Sequence, residues 1–188
     1  HVDTGLMRKG DLDLTRKSLE PQGVRLKVID AQERFIERLK GVSGTARKTE
    51  LVDREIFHVL EEEARATGAS ALGLGVTYSD ELNGAQLADR TSSPDSPFKV
   101  LIEPVRRLFK EEVRQVAEQL GLPQELIQRP SFPTAGLAVR MMGPVARERL
   151  TLLRDADAIF CEEIQKAGLD KRIRQYFAVL PGVATRNS

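Results

Sequence analysis

The sequence has no tryptophan, one cysteine and two histidines, and only 5% of its residues are aromatic. A single cysteine, Cys161, excludes an internal disulfide framework and a multi-cysteine zinc site, and such sparing use fits a reducing compartment. No second histidine stands three or four residues from His58, so a helical metal pair is not expected and His58 reads as a packing or surface residue. Charge of one sign is also missing. Lys+Arg 29 against Asp+Glu 28 leaves a net charge of +1, so no whole-chain field announces a nucleic-acid or anionic-membrane partner, and any anion site must be local. No uninterrupted apolar run approaches the ~18 residues of a membrane span. Neither a Gly-x-x-x-x-Gly-Lys-Ser/Thr loop nor a Gly-x-Gly-x-x-Gly fingerprint occurs. These absences lead to the expectation of a cytoplasmic protein that binds neither nucleic acid nor membrane. The opening His1-Val2-Asp3-Thr4-Gly5 lacks the basic start and apolar stretch of a signal peptide and reads as the end of a buried strand, with polypeptide expected upstream.

What is present is a chain of 188 residues, 40% hydrophobic and 30% charged, enough for one domain and part of a second. Val24 to Ile29 alternates as a strand does, and Asp30 is placed to cap a helix carrying Phe35, Ile36 and Leu39 and ending at Gly41, with a capping-box spacing to Glu33. From Arg47 to Thr67, Leu51, Val52, Ile56, Val59, Leu60 and Ala64 keep helical spacing, and Gly68 supplies the stop. Ala71 to Thr77 is an apolar run suited to a parallel sheet, and 78 to 99 reads as a long polar loop. Val100 to Ile102 is a short strand. A helix is expected over Leu108 to Leu120 and a short one after Pro123, then a Pro-rich connection over 129 to 136 as the best boundary. A strand over Leu137 to Met142, a helix from about Pro144 to Ala167 and an apolar strand around Tyr176 to Leu180 complete the reading. Strands alternating with helices predict an α/β fold with a doubly wound, mostly parallel sheet whose ligands lie beyond the carboxyl ends of the strands.

Three strand ends carry candidate chemistry. Asp3-Thr4-Gly5-Leu6-Met7-Arg8-Lys9 puts an acid, a flexible glycine and two cations where backbone donors and a guanidinium can hold a nucleotide, although an ordinary turn with solvated cations has the same composition. Gly75-Val76-Thr77-Tyr78-Ser79-Asp80-Glu81 offers carboxylates able to accept a hydrogen bond or to bind Mg²⁺, and it reads equally as a solvated turn. Arg106, Arg107, Lys110 and Arg114 alternate with Glu111, Glu112 and Glu118, which favours a salt-bridged helix face over a phosphate site. Cys161 lies in a helical run with no histidine to form its thiolate, so it reads as structural. Spacing alone stops at an α/β protein with a possible anionic ligand.

Longer segments carry a specific resemblance. The run Ile102-Glu103-Pro104-Val105-Arg106-Arg107-Leu108-Phe109-Lys110-Glu111-Glu112-Val113-Arg114, then Leu120-Gly121-Leu122-Pro123 and Arg129-Pro130-Ser131-Phe132-Pro133, closely resembles the ATP-pyrophosphatase region of the GMP synthase family. Val2-Asp3-Thr4-Gly5-Leu6-Met7-Arg8 is similar to that family's Val-Asp-Asn-Gly-Leu-Leu-Arg segment, and Leu74 to Asp80 to its Gln-Gly-Thr-x-x-x-Asp segment. Ala156 to Phe160 and Phe177 to Leu180 resemble the opening of its dimerisation domain. The resemblance implies an adenine nucleotide hydrolase-like fold, with residues 1–130 an ATP-pyrophosphatase domain lacking its first strand and pyrophosphate loop. Residues 131–188 would be the linker and start of a smaller α+β dimerisation domain. It implies a ligase in which ATP, with Mg²⁺, adenylates xanthosine monophosphate and ammonia then displaces AMP to give GMP, in a homodimer supplied by a glutaminase domain or subunit. Val2, Asp3, Leu6 and Gly75 would bind ATP, with Val2, Asp3 and Leu6 near the adenine. Arg8 and Asp80 would bind substrate, and Asp80, with Gly75, would line the reacting centre as its catalytic residue. Leu74 and Val76 stand where the family has Gln and Thr, so a diverged nucleotide-binding or structural paralogue is the alternative.

Overall fold

A parallel strand pair needs a crossover that carries the chain back along the sheet, and residues 1–30 contain one. In the computed structural model, which describes residues 1–82, 95–127, 132–170, 172, 173 and 175–182, β1 (Val2–Asp3) pairs in parallel with β2 (Ile29–Asp30). Val2 stands opposite Ile29 and Asp3 opposite Asp30. Between the strands run α1 (Asp11–Leu19) and a 3-10 turn at Glu20–Gln22. A second parallel pair joins β3 (Ala71–Gly73) to β4 (Val100–Ile102), with Leu72 opposite Leu101. The chain is thus α/β with parallel strands.

The residues group into two compact units, His1–Ile56 with Pro130–Ser188, and Phe57–Arg129. In the first, α2 (Gln32–Arg38) buries Phe35, and the start of α3 (Thr45–Thr67) buries Leu51 and Val52. Leu150, Leu153 and Asp157 fall on one face of the long helix Arg147–Lys166, the seventh α-helix among the described residues, at the three- and four-residue intervals that align side chains along a helix. Leu6, Leu39, Leu137 and Ala138 fill the space between these elements. In the second unit, the end of α3 contributes Phe57, Val59 and Ala64, joined in its core by Val76 and Phe98. Here α4 (Tyr78–Leu82), α5 (Lys110–Gln119) and α6 (Gln124–Ile127) accompany β3 and β4. The long helix that closes the first unit is α7. No helix among the described residues is long and apolar enough to cross a membrane.

The long-helix reading holds, with α3 ending at Thr67 and Gly68 taking a φ of +71°. Several local expectations do not. Of Val24 to Ile29 only Ile29 enters a strand, and Val24 is exposed. The residue that caps α2 is Ala31; Asp30 accepts from the Gln32 amide at 3.2 Å, and Glu33 reaches away to Arg147 instead of closing a capping box. Strand β3 ends at Gly73 rather than Thr77, although the Leu74 amide still donates to the Ile102 carbonyl at 2.9 Å. The expected polar loop opens with helix α4, because the Asp80 carboxylate accepts from the Thr77 amide and folds the turn; residues 83–94 of that loop lie outside the described residues. Helix α5 begins at Lys110, two residues later than expected, where Glu112 accepts from the Phe109 amide at 2.7 Å.

The largest departure is at Leu137 to Met142, where the expected strand is a 3-10 turn, Gly136–Arg140. Gly136, Leu137 and Ala138 are all buried in succession, whereas a strand would alternate. The terminal strand around Tyr176 to Leu180 reduces to one parallel bridge between Met141 and Leu180, because the Ala178 amide donates to the Asp157 carboxylate at 2.8 Å instead of to a ladder partner. Helix α1 had no counterpart in the sequence reading.

Candidate functional site

The turn after β1 is built by its own side chains. Asp3 Oδ1 accepts from the Gly5 amide at 3.0 Å and Oδ2 from the Gln32 side-chain amide at 3.0 Å, so its carboxylate organises the turn with both oxygens. Thr4 Oγ1 accepts from the Leu6 amide at 3.2 Å. Val2 is half-buried, and Leu6 is fully buried, its carbonyl accepting from the Leu137 amide at 2.8 Å. Arg154 of α7 donates to the carbonyls of Gly5 and of Met7, the latter at 3.0 Å. The backbone from Gly5 to Met7 is therefore held from two sides before Arg8 begins.

Arg8 is half-buried. Its Nε lies 3.5 Å from Asp11 Oδ2, and its guanidinium carbon lies 4.6 Å from the centre of the Phe132 ring. The Arg140 guanidinium lies 4.8 Å from the same ring and 4.3 Å from the Phe177 ring, and Arg140 Nη1 donates to Asp157 Oδ1 at 3.2 Å. Burial pulls Arg140 below the usual guanidinium value; Asp157 opposes that shift and the charge on Arg8 adds to it. A cation stacked on an aromatic face keeps its in-plane N–H groups for an oxygen ligand, so this platform presents Arg8 as a fork for a phosphate or carbonyl. Sequence reading missed Phe132, Arg140, Asp157 and Arg154 as its supports. The available signal was Arg140 itself, a lone cation inside the apolar run Leu137 to Met142.

In the second unit, Gly75 is exposed with open space where a side chain would stand. Asp80 follows it on α4, its Oδ2 accepting from the Thr77 hydroxyl at 2.7 Å and the Thr77 amide at 3.1 Å, and its Oδ1 lying 3.0 Å from Lys110 Nζ. Burial alone would raise the Asp80 carboxyl, but the Thr77 hydroxyl, Lys110 and the Thr77 amide together hold it below the ordinary aspartate value. Next to it, Tyr78, Glu81, Arg106, Arg107 and Phe109 line an open cleft of about 600 Å³ at the carboxyl ends of β3 and β4. Tyr78 and Phe109 meet edge to face at 5.1 Å, and Arg106 bridges Glu81 at 3.0 Å and Glu103 at 2.9 Å. Part of the basic cluster is thus a salt-bridged surface.

Val2, Asp3, Leu6 and Arg8 belong to the first unit, and Gly75 and Asp80 to the second. Among the described residues no group of three His, Cys, Asp or Glu side chains is placed to hold a metal, and both Asp80 oxygens are engaged by Thr77 and Lys110, so these residues do not fit a protein-held Mg²⁺. His58 is exposed; Cys161 is half-buried, and burial, seconded by Asp157, pushes its thiol up, away from a nucleophile's range.

No family model matches the chain. It is 42% identical over 193 aligned positions to the glutamine-hydrolysing GMP synthase of Lactiplantibacillus plantarum, an alignment covering 97% of this chain and 37% of that protein. It is 44% identical to the enzyme of the same name from Clostridium botulinum and 42% identical to that of Acetivibrio thermocellus, each alignment covering 97% of this chain and 38% of the relative. The chain spans little more than a third of the length of the curated relatives it matches, and over that third it is a homologue of proteins named GMP synthase.

Proposed function

We propose that the protein is a GMP synthase-type ligase of the ATP-pyrophosphatase class. Identity of 42% or more along 97% of the chain carries this reading, and the seat of Arg8, a permanent cation stacked on Phe132 beside a turn locked by Asp3 and Arg154, supports it. Residues 1–130 are assigned to the nucleotide-activating domain and 131–188 to a linker and the start of a dimerisation domain, in a homodimer whose ammonia comes from a glutaminase domain or subunit. In the first step the 2-oxygen of xanthosine monophosphate attacks the α-phosphorus of ATP, and the bond to the β-phosphate oxygen breaks to release pyrophosphate. In the second, ammonia attacks the activated carbon, the bond to the AMP oxygen breaks, and a proton leaves the new amine.

The roles follow from charge and shape. Arg8 contacts the xanthosine nucleotide through its free guanidinium edge. Val2, Asp3 and Leu6 are assigned to the adenine side; as Asp3 and Leu6 are engaged within the turn, they act by shaping the backbone that faces the base. Gly75 leaves room for close approach of a nucleotide, and Asp80, kept ionised by Thr77 and Lys110, accepts from a substrate N–H that becomes a stronger donor as the 2-oxygen is adenylated.

The test is binding of ATP and of xanthosine monophosphate to the full-length protein by calorimetry, followed by pyrophosphate release with both nucleotides and ammonium. Pyrophosphate release that depends on xanthosine monophosphate and yields GMP supports the reading. Binding of both nucleotides without release identifies the diverged paralogue, for which the Leu74 and Val76 replacements are the sequence ground. Failure to bind either overturns both.

A further inference from the structure

Lys48 lies in the first turn of α3 and is wholly buried. Its Nζ donates to the carbonyls of Ala138 at 3.0 Å, Met141 at 2.7 Å and Gly143 at 2.7 Å. An ammonium has three N–H donors, and these three carbonyls take all of them. Its charge is met by carbonyl dipoles, an arrangement that costs desolvation and persists only where the acceptors are well placed. Burial, with the charge on Arg149 acting the same way, pulls its proton affinity below that of an ordinary lysine.

The run that Lys48 grips lies largely outside any helix or strand ladder. The carbonyls of Met142 and Pro144 go to Arg149, each at 2.8 Å, so two side-chain cations serve five carbonyls between Ala138 and Pro144 where backbone amides would ordinarily do so. At its other end the same run carries Gly136 and Leu137 against the Leu6 carbonyl, and it carries Arg140 onto the Phe132 ring that also seats Arg8. The path of residues 136–143 therefore fixes the Arg8 platform from below.

We propose that Lys48 is a positioning residue: its caged ammonium holds residues 136–143 in the path that seats Phe132 and Arg140 against Arg8, and thereby sets affinity for the anionic nucleotide held by Arg8. The second half of this statement rests on the reading of Arg8 as the contact for xanthosine monophosphate.

The experiment compares the full-length protein with Lys48→Met and Lys48→Arg by amide hydrogen exchange and by calorimetric binding of xanthosine monophosphate. In Lys48→Met the Leu137 amide exchanges at least about tenfold faster while the Leu39 amide in the core stays within about twofold, and the nucleotide binds at least about fivefold more weakly. Lys48→Arg, which keeps the cation, stays within about threefold of the parent in both readouts. Combining Lys48→Met with Arg8→Ala adds nothing to the loss caused by Arg8→Ala alone, because Lys48 acts through Arg8. Parental Leu137 exchange in Lys48→Met overturns the proposal, and full additivity with Arg8→Ala overturns its second half. If Lys48→Met does not fold, Lys48→Gln decides, since it offers two donors to three carbonyls without charge, and parental Leu137 exchange in it counts against the proposal equally. A parent that does not bind xanthosine monophosphate removes the reading of Arg8, and the Leu137 comparison still decides the role of Lys48.

Discussion

Gly136 lies so close under the carbonyl of Leu6 that a β-carbon there would overlap it, and the amide of the next residue, Leu137, donates to that same carbonyl at 2.8 Å. The glycine also takes a φ of +58°, which an L side chain adopts only with strain. Gly136→Ala is therefore expected to destabilise the protein by about 2–5 kcal/mol through strain and overlap together, read as a lower urea midpoint. An alanine variant with the parent's midpoint would show that the turn after β1 and the 3-10 turn do not depend on one another.

Arg140 and Asp157 form an almost fully enclosed pair, whereas Arg106 and Glu81 form one open to water. Truncating one partner of an enclosed pair leaves a buried charge and costs about 3–5 kcal/mol, while a pair open to water is screened and contributes little. Asp157→Ala, which also takes away the acceptor for the Ala178 amide, is expected to cost several times as much as Glu81→Ala in denaturant unfolding. Equal costs would contradict the burial argument.

The contrast between those pairs also explains what was legible in the sequence. Helix α3 announced itself because Leu51, Val52, Val59 and Ala64 repeat at helical spacing and Gly68 ends them, all local signals. Residues 137–142 read as a strand in sequence because their apolar character comes from burial against Leu6 and around Lys48, contacts 90 or more residues distant that leave no periodic trace. Helix α1 was missed for the opposite reason: its buried residues are Asp11 and Ser18, so it carries no apolar stripe. The Arg8 segment was visible as a motif after a strand. Its supports were not, since Phe132, Asp157 and Arg154 come from parts of the chain that only folding brings to it.

Asp80 provides a test by pH. Its folded proton affinity is depressed, so the stability it contributes is present above the unfolded carboxyl value of about 4 and is lost as pH falls through the lower folded value. Thr77→Val removes the hydroxyl that donates to Oδ2, and the Asp80 carboxyl is then expected to titrate at higher pH, with the acid loss of stability moving up in step. Carboxyl chemical shifts followed against pH read this directly. An unmoved titration in Thr77→Val would assign the depression to Lys110 and the Thr77 amide instead.

Self-association has a specific candidate surface. On α7, Leu152 and Ile159 are 59% and 63% exposed on the face away from the buried Leu150 and Asp157, and Phe160 at its flank is 42% exposed. The full-length protein is expected to sediment as a dimer or larger, and Ile159→Asp to shift it toward monomer with little change in unfolding midpoint. A parent that is monomeric at micromolar concentration would sink the dimer expectation.

Arg8 and Asp80 are expected to fail in different ways. Arg8 is preorganised by Phe132 and Asp11, so it offers the same fork before and after the chemistry, and the nucleotide contact proposed for it would strengthen binding of substrate and transition state alike. Arg8→Ala is therefore expected to raise the Michaelis constant for xanthosine monophosphate, at a cost of about 1.5–3 kcal/mol for a charged hydrogen bond, and to leave turnover nearly intact. Asp80 is an anion fixed between Thr77 and Lys110, and beside phosphates it helps only where positive charge or a donor develops during reaction. Asp80→Ala is expected to lower turnover more than affinity. It also releases Lys110, so Asp80→Asn, which can keep an acceptor toward Thr77, separates loss of charge from loss of the α4 turn. Steady-state kinetics of the full-length protein with each substrate varied in turn decides the matter. If all three variants match the parent in both constants, neither strand end belongs to the active site and the paralogue reading takes precedence.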